Sequence, residues 1–162
     1  IRLGYLAVED VLTQDIGHAL SGGAVSVAID RIRDENLLDD YNFTIFVRKT
    51  ECQPDATVGA IIDLTKTAGV DAIIGPPCGG VFSGVLSTAY RVPLMTWGYN
   101  INSQLTSRTR FPYLSTIVPS SLSLAYAFLA LCRQYQWRTI ALLYTRASSS
   151  VDYCSSIMAD LD

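Results

Sequence analysis

The feature that most constrains this chain is a regular alternation of short, nearly uncharged apolar runs with helix-length segments. Leu3 to Val8, Phe43 to Lys49, Asp71 to Gly75 and Val92 to Trp97 read as strands, and Tyr113 to Val118 as a fifth extended segment. Between them the spacing predicts helices over Gly17 to Glu35, Asp55 to Ala68 and Gly79 to Arg91. In the first, Val25, Ala28, Ile29 and Ile32 share one face, while Asp30, Arg31, Arg33 and Asp34 largely fall elsewhere. In the second, Val58, Ile61, Ile62 and Thr65 point inward, and Gly69 stands where a left-handed helix stop is expected. Pro119-Ser120-Ser121 starts a further helix with a serine cap, running to about Gln136 on Leu122, Tyr126, Leu129 and Cys132. Thr139 to Tyr144 reads as another strand and Val151 to Leu161 as a last helix. Strands that are apolar nearly throughout need cover on both faces, which a parallel sheet between helices supplies. The expected fold class is α/β, a doubly wound parallel sheet.

Two uncharged windows, Ala72 to Tyr90 and Phe111 to Cys132, invite a membrane reading. Both are interrupted: Pro76, Pro77, Gly79 and Gly80 break the first, and Pro112 and Pro119 the second. Lipid-facing backbone does not tolerate such breaks, so each window reads as a buried strand running into a helix. No N-terminal signal peptide is visible, and the chain opens directly on a strand, as a piece of something longer would. With hydrophobic residues at 49% and charged residues at 17%, a disordered tail is excluded. The net charge of −3 and the lack of any Lys/Arg cluster argue against nucleic-acid binding.

A sheet of this kind binds ligands beyond the carboxyl ends of its strands, near the point where strand order reverses. Those ends supply Glu9-Asp10-Val11, Glu51-Cys52, the run Gly75 to Gly80, and Thr96 to Asn100. Trp97 and Tyr99, with Cys78, Gly79 and Gly80 of the neighbouring loop, are the candidate ligand contacts. Phe82 and Tyr90 lie on the third helix, where core packing or a subunit interface would use them.

A catalytic reading finds little. His18 is the only histidine and reads as a surface or capping residue. The Gly75 to Gly80 run lacks the Gly-Lys-Ser/Thr ending of a phosphate loop, and Pro76 and Pro77 remove two backbone donors. Neither a Gly-x-Ser-x-Gly elbow nor a dinucleotide glycine fingerprint occurs, and no metal site is expected. The chain is read as a binding module, not an enzyme.

Cys52, Cys78, Cys132 and Cys154 match neither zinc nor redox-pair spacing. In the strand order 2-1-3-4, the strands preceding Cys52 and Cys78 flank the first strand, with ends roughly 10 Å apart. A disulfide needs Cα atoms within about 7 Å, so the loops have only to lean together. Closing that loop would contribute roughly 3.5 kcal/mol on the chain-entropy model. Two free thiols in a reducing compartment is the alternative. Cys132, on an apolar helix position, reads as a buried free thiol. Asn42-Phe43-Thr44 is a glycosylation sequon just before a strand, making Asn42 a candidate modification site.

Ile74-Gly75-Pro76-Pro77-Cys78, followed by Tyr90-Arg91-Val92-Pro93-Leu94-Met95-Thr96-Trp97-Gly98, resembles the extracellular domain of receptor guanylate cyclases and natriuretic peptide receptors. Thr116-Ile117-Val118-Pro119-Ser120-Ser121 and Gln136-Trp137-Arg138-Thr139-Ile140-Ala141-Leu142-Leu143-Tyr144 fit the same family. The resemblance implies a two-lobed type I periplasmic-binding-protein fold. Residues 1–118 would be most of the first lobe and 119–162 the start of a second. It implies a Cys52–Cys78 disulfide, a partner for Cys154 beyond residue 162, and a location on the extracellular face of the plasma membrane. It further implies a homodimer through the helices Gly17–Glu35 and Gly79–Arg91, with Phe82 and Tyr90 at the interface. The expected partner is an extracellular peptide, small molecule or ion, with membrane attachment through other parts of the parent. Natriuretic peptide receptors also hold a chloride on backbone N–H groups around the second cysteine; Pro77, lacking an N–H, puts that chloride in doubt here. Other readings are a free solute-binding protein and a class C or ionotropic receptor ectodomain.

Overall fold

The computed structural model describes residues 1–144 and 153–161. Five strands form one parallel sheet: β1 (Arg2–Ala7), β2 (Thr44–Lys49), β3 (Ala72–Ile74), β4 (Leu94–Thr96) and β5 (Leu114–Thr116), in the order β2-β1-β3-β4-β5. The order reverses at β1, so the switch point lies between β1 and β3, beside the loops carrying both sequence-predicted disulfide cysteines.

One sheet face carries Gly4, Leu6, Ile73, Leu94 and Leu114, and α4 (Pro54–Ile62) and α5 (Gly80–Tyr90) cover it. Ile61, Leu64, Leu105 and Phe111 complete this core. The other face carries Tyr5, Ile45 and Val47, with α2 (His18–Ser21) and α3 (Gly23–Asp34) over it. Farther along that face Ile74, Met95 and Ser115 border an open groove, and Met95 is exposed. Cover on both faces is thus realised over β1, whereas Ile45 and Val47 of β2 stay exposed and β4 and β5 lack cover on that side.

Three local expectations need correction. The predicted helix Gly17–Glu35 is preceded by a short turn of helix, α1 (Thr13–Ile16), and extended backbone at Gly17 separates the two. From His18 onward the helical path continues through Gly22 into α3. The second helix ends in a π turn, Asp63–Thr67, before Gly69 stops it at φ 60°. Thr139 to Tyr144 is not a strand: Ile140, Leu142 and Leu143 are exposed, and a strand has no ladder to join there among the described residues.

Ser120 caps α6 (Ser121–Gln134), its hydroxyl accepting from the Ser123 N–H at 3.3 Å. The last helix, α7 (Tyr153–Leu161), packs against α6. Residues 151 and 152 of its predicted span lie outside the described residues. No helix among the described residues is long and apolar enough to cross a membrane, and the two uncharged windows are β3 into α5 and β5 into α6.

Candidate functional site

The carboxyl edge of the sheet is laced from loop to loop. Thr50 directly follows β2, its N–H and hydroxyl both donating to the Ala7 carbonyl, at 2.9 and 3.2 Å. Glu51 and Cys52 then take left-handed backbone, φ 47° and 55°, which turns the chain back over β1. The Glu51 carboxylate accepts the N–H groups of Glu9 and Asp10, both at 2.9 Å, and of Val11 at 3.3 Å. It therefore caps the turn leaving β1. Burial pushes the Glu51 carboxyl up, but those N–H donors and nearby Lys49 outweigh it and hold the group below the usual carboxylate range.

One residue on, Cys52 is joined to Cys78, with Cα atoms 5.4 Å apart. Both cysteines are buried with Val8 and Ile16, and Val11, Trp97 and Tyr99 pack around them. The sequence-predicted loop closure is therefore made over β1. Cys132 is a free, buried thiol, as read from its helix position, and Cys154 is free and partly buried.

The next link was not legible in the sequence. Asn100 is buried, and its amide joins two loops. Its Nδ2 donates to the carbonyls of Pro76 at 2.7 Å and Trp97 at 2.9 Å, and its Oδ1 accepts from the Gly80 N–H at 2.7 Å. A Cβ on Gly80 would lie 2.7 Å from that Oδ1, so only glycine admits the clasp. Gly98 sits at φ 70°, where a Cβ would meet the Pro77 carbonyl at 2.6 Å. The same carbonyl accepts the Tyr99 N–H at 2.8 Å, so Pro77 takes part here through its oxygen.

Of the five candidate contacts, Cys78 and Gly80 lie beneath the surface: one is in the disulfide, the other sealed by Asn100 and Leu105. Gly79, Trp97 and Tyr99 are partly exposed. The two aromatic rings lean on the disulfide with one side, and the Tyr99 hydroxyl donates to Asp15 of α1 at 3.1 Å. A separate cleft of about 330 Å³ is lined by Glu9, Asp10, Thr13, Gly17, His18 and Ala19; neither Trp97 nor Tyr99 lines it. His18 is not a cap. It opens α2, donates its N–H to the Val8 carbonyl at 2.7 Å, and sets its ring 5.5 Å from that of Tyr5.

The sequence-predicted interface residues separate. Phe82 is 52% exposed on the outer side of α5, beside exposed Val85, whereas Tyr90 is partly buried with Lys66 Nζ 4.9 Å from its ring centroid. The two helices expected to form one dimer surface, Gly17–Glu35 and Gly79–Arg91, cover opposite sheet faces.

The described edge is a set of loops tied to one another by the disulfide, Glu51 and Asn100. Comparisons with known proteins give the family. The family model for the receptor family ligand binding region matches residues 20–162. The receptor-type guanylate cyclase gcy-2 of Caenorhabditis elegans is 38% identical over all of this chain, and gcy-4 of Caenorhabditis briggsae 37%. Gcy-14 of Caenorhabditis elegans is 30% identical, again over the whole chain. The chain spans about 14% of the length of the first of these relatives. With residues 20–162 matched, this chain belongs to the receptor family ligand binding region.

Proposed function

We propose that this chain is part of the ligand-sensing domain, on the extracellular face of the plasma membrane, of a single-pass receptor guanylate cyclase. The observation that carries the reading is the carboxyl edge, where a disulfide and the Asn100 clasp hold together the loops that carry the partly exposed Trp97 and Tyr99. A disulfide at that position suits an oxidising compartment. The relatives are receptor-type guanylate cyclases, which supplies the output. Ligand binding would change lobe or dimer geometry outside the cell and so bias cGMP synthesis inside. Such a domain signals only if the ligand has different affinities for two arrangements. Residues 1–118 form the first lobe in this reading, and residues 119–162 begin a second whose body closes the cleft. The exposed apolar outer side of α5, with Phe82 and Val85, is the dimer surface that fits best.

The test uses cells making the full-length parent, exposed to a panel of amino acids, peptides and inorganic salts while cGMP is read. Trp97→Ala and Tyr99→Ala should blunt the response that the unaltered receptor gives, at equal surface expression. An undiminished response in both variants removes the aromatic rim from the site.

A further inference from the structure

We propose that Asn42 carries an N-linked glycan that covers the open end of the sheet's edge strand, β2. The proposal rests on the extracellular reading above. Asn42 heads the sequon Asn42-Phe43-Thr44; the other asparagines, Asn36, Asn100 and Asn102, head none. Both Asn42 and Thr44 are exposed, and the Asn42 side chain holds no hydrogen bond among the described residues. The acceptor amide is therefore free at the surface.

The sheet supplies the reason for a sugar at this place. β2 pairs only with β1 among the described residues. The N–H groups of Thr44 and Thr50 donate to Ile1 and Ala7. Backbone groups alternate along a strand, so those of Ile45, Val47 and Lys49 face away from β1. An open row of this kind is a template for pairing with another chain.

At its carboxyl half the row is already blunted. The Arg48 guanidinium donates to the Val47 carbonyl at 2.8 Å and also to Asp63 at 2.7 Å, and Lys49 pairs with Glu9. The amino half has no such guard. Ile45 is exposed, and the loop before it exposes Leu37, Leu38 and Tyr41. Asn42 stands between that apolar loop and the unguarded end of the row. A hydrated oligosaccharide there would exclude a second strand from the half that charge leaves open.

The modification is a glycosyl transfer from a lipid-pyrophosphate-linked oligosaccharide. The Asn42 amide nitrogen bonds to the anomeric carbon of the terminal N-acetylglucosamine and gives up one proton. The bond from that carbon to the pyrophosphate oxygen breaks, and lipid pyrophosphate leaves with the electron pair. Nothing is oxidised or reduced.

The experiment directs this chain through the secretory pathway of animal cells with an appended leader. Release of the glycan by an amidase in heavy-oxygen water should convert Asn42 to labelled aspartate. Removing the glycan from the folded protein should move the main size-exclusion peak to larger species than the glycosylated protein forms. Asn42→Gln and Thr44→Ala should do the same, and Ile45→Lys should restore the original peak. An unmodified Asn42 in protein whose Cys52–Cys78 bond has formed overturns the proposal. So does a protein whose peak stays in place, apart from the loss of the sugar's own mass, after the glycan is removed. Because the leader forces entry, neither result bears on where the parent normally resides; that is read from its disulfide.

Discussion

The loops at the carboxyl edge of the sheet and the stretch from α6 onward differ in what they can hold by themselves. The first is joined four times over: Glu51 to the turn after β1, Cys52 to Cys78, Asn100 across two loops, and Tyr99 to Asp15. The second is equally apolar, yet α6 buries only Ser121, Ala125 and Cys132. Leu129, Leu131, Tyr135 and Trp137 are exposed, and Leu143 is 99% exposed. Helical periodicity guarantees a stripe, and burial needs a second surface. What fixes α7 near the sheet is polar: the Asp160 carboxylate accepts the hydroxyls of Ser103, at 2.8 Å, and Ser121.

The contrast is easiest to break in the core. Leu94→Ala empties a fully enclosed position and should cost about 2–5 kcal/mol in denaturant unfolding. Leu129→Ala, on the exposed stripe, should stay within roughly 0.5 kcal/mol. Equal losses would mean that α6 is buried after all.

An effect of similar size is expected at the clasp. Asn100→Ala strands the Gly80 N–H and the Pro76 carbonyl inside the protein and should cost about 1–3 kcal/mol for each group left unpaired. The same unfolding assay measures it. Tyr99 should lose part of its order, which a shift in its ring proton resonances would register.

The smallest is the pH term from Glu51. Its folded pKa is lowered, so its contribution is fully present above the unfolded value of about 4.3 and is lost as pH falls through the folded value. Glu51→Gln should therefore lower stability at neutral pH and flatten the acid limb of a stability–pH curve. Asp63, lowered by its hydrogen bonds from Arg48 and Thr67, acts with the same sign, so the limb should shrink without vanishing.

Much of the laced edge was legible because its signals are local. Apolar runs gave the five strands, and their order brought Cys52 and Cys78 together before any contact was known. Gly69 and Ser120 marked a helix end and a helix start. The Asn100 clasp was hidden: an asparagine after a strand reads as a turn residue, and its partners lie 20 and 24 positions away. Glu51 was hidden likewise, since its N–H donors belong to another strand's loop. The Thr139–Tyr144 error has the opposite cause. Its composition is that of a strand, but a strand exists only through its neighbours.

The central claim is that the laced edge belongs to a domain exposed to an oxidising exterior. Differential alkylation of the parent protein, isolated from its own cells without reductant and mapped by peptide mass, tests it most directly. The account predicts a linked Cys52–Cys78 peptide, with Cys132 labelled only after unfolding. Label on both Cys52 and Cys78 before reduction would contradict it.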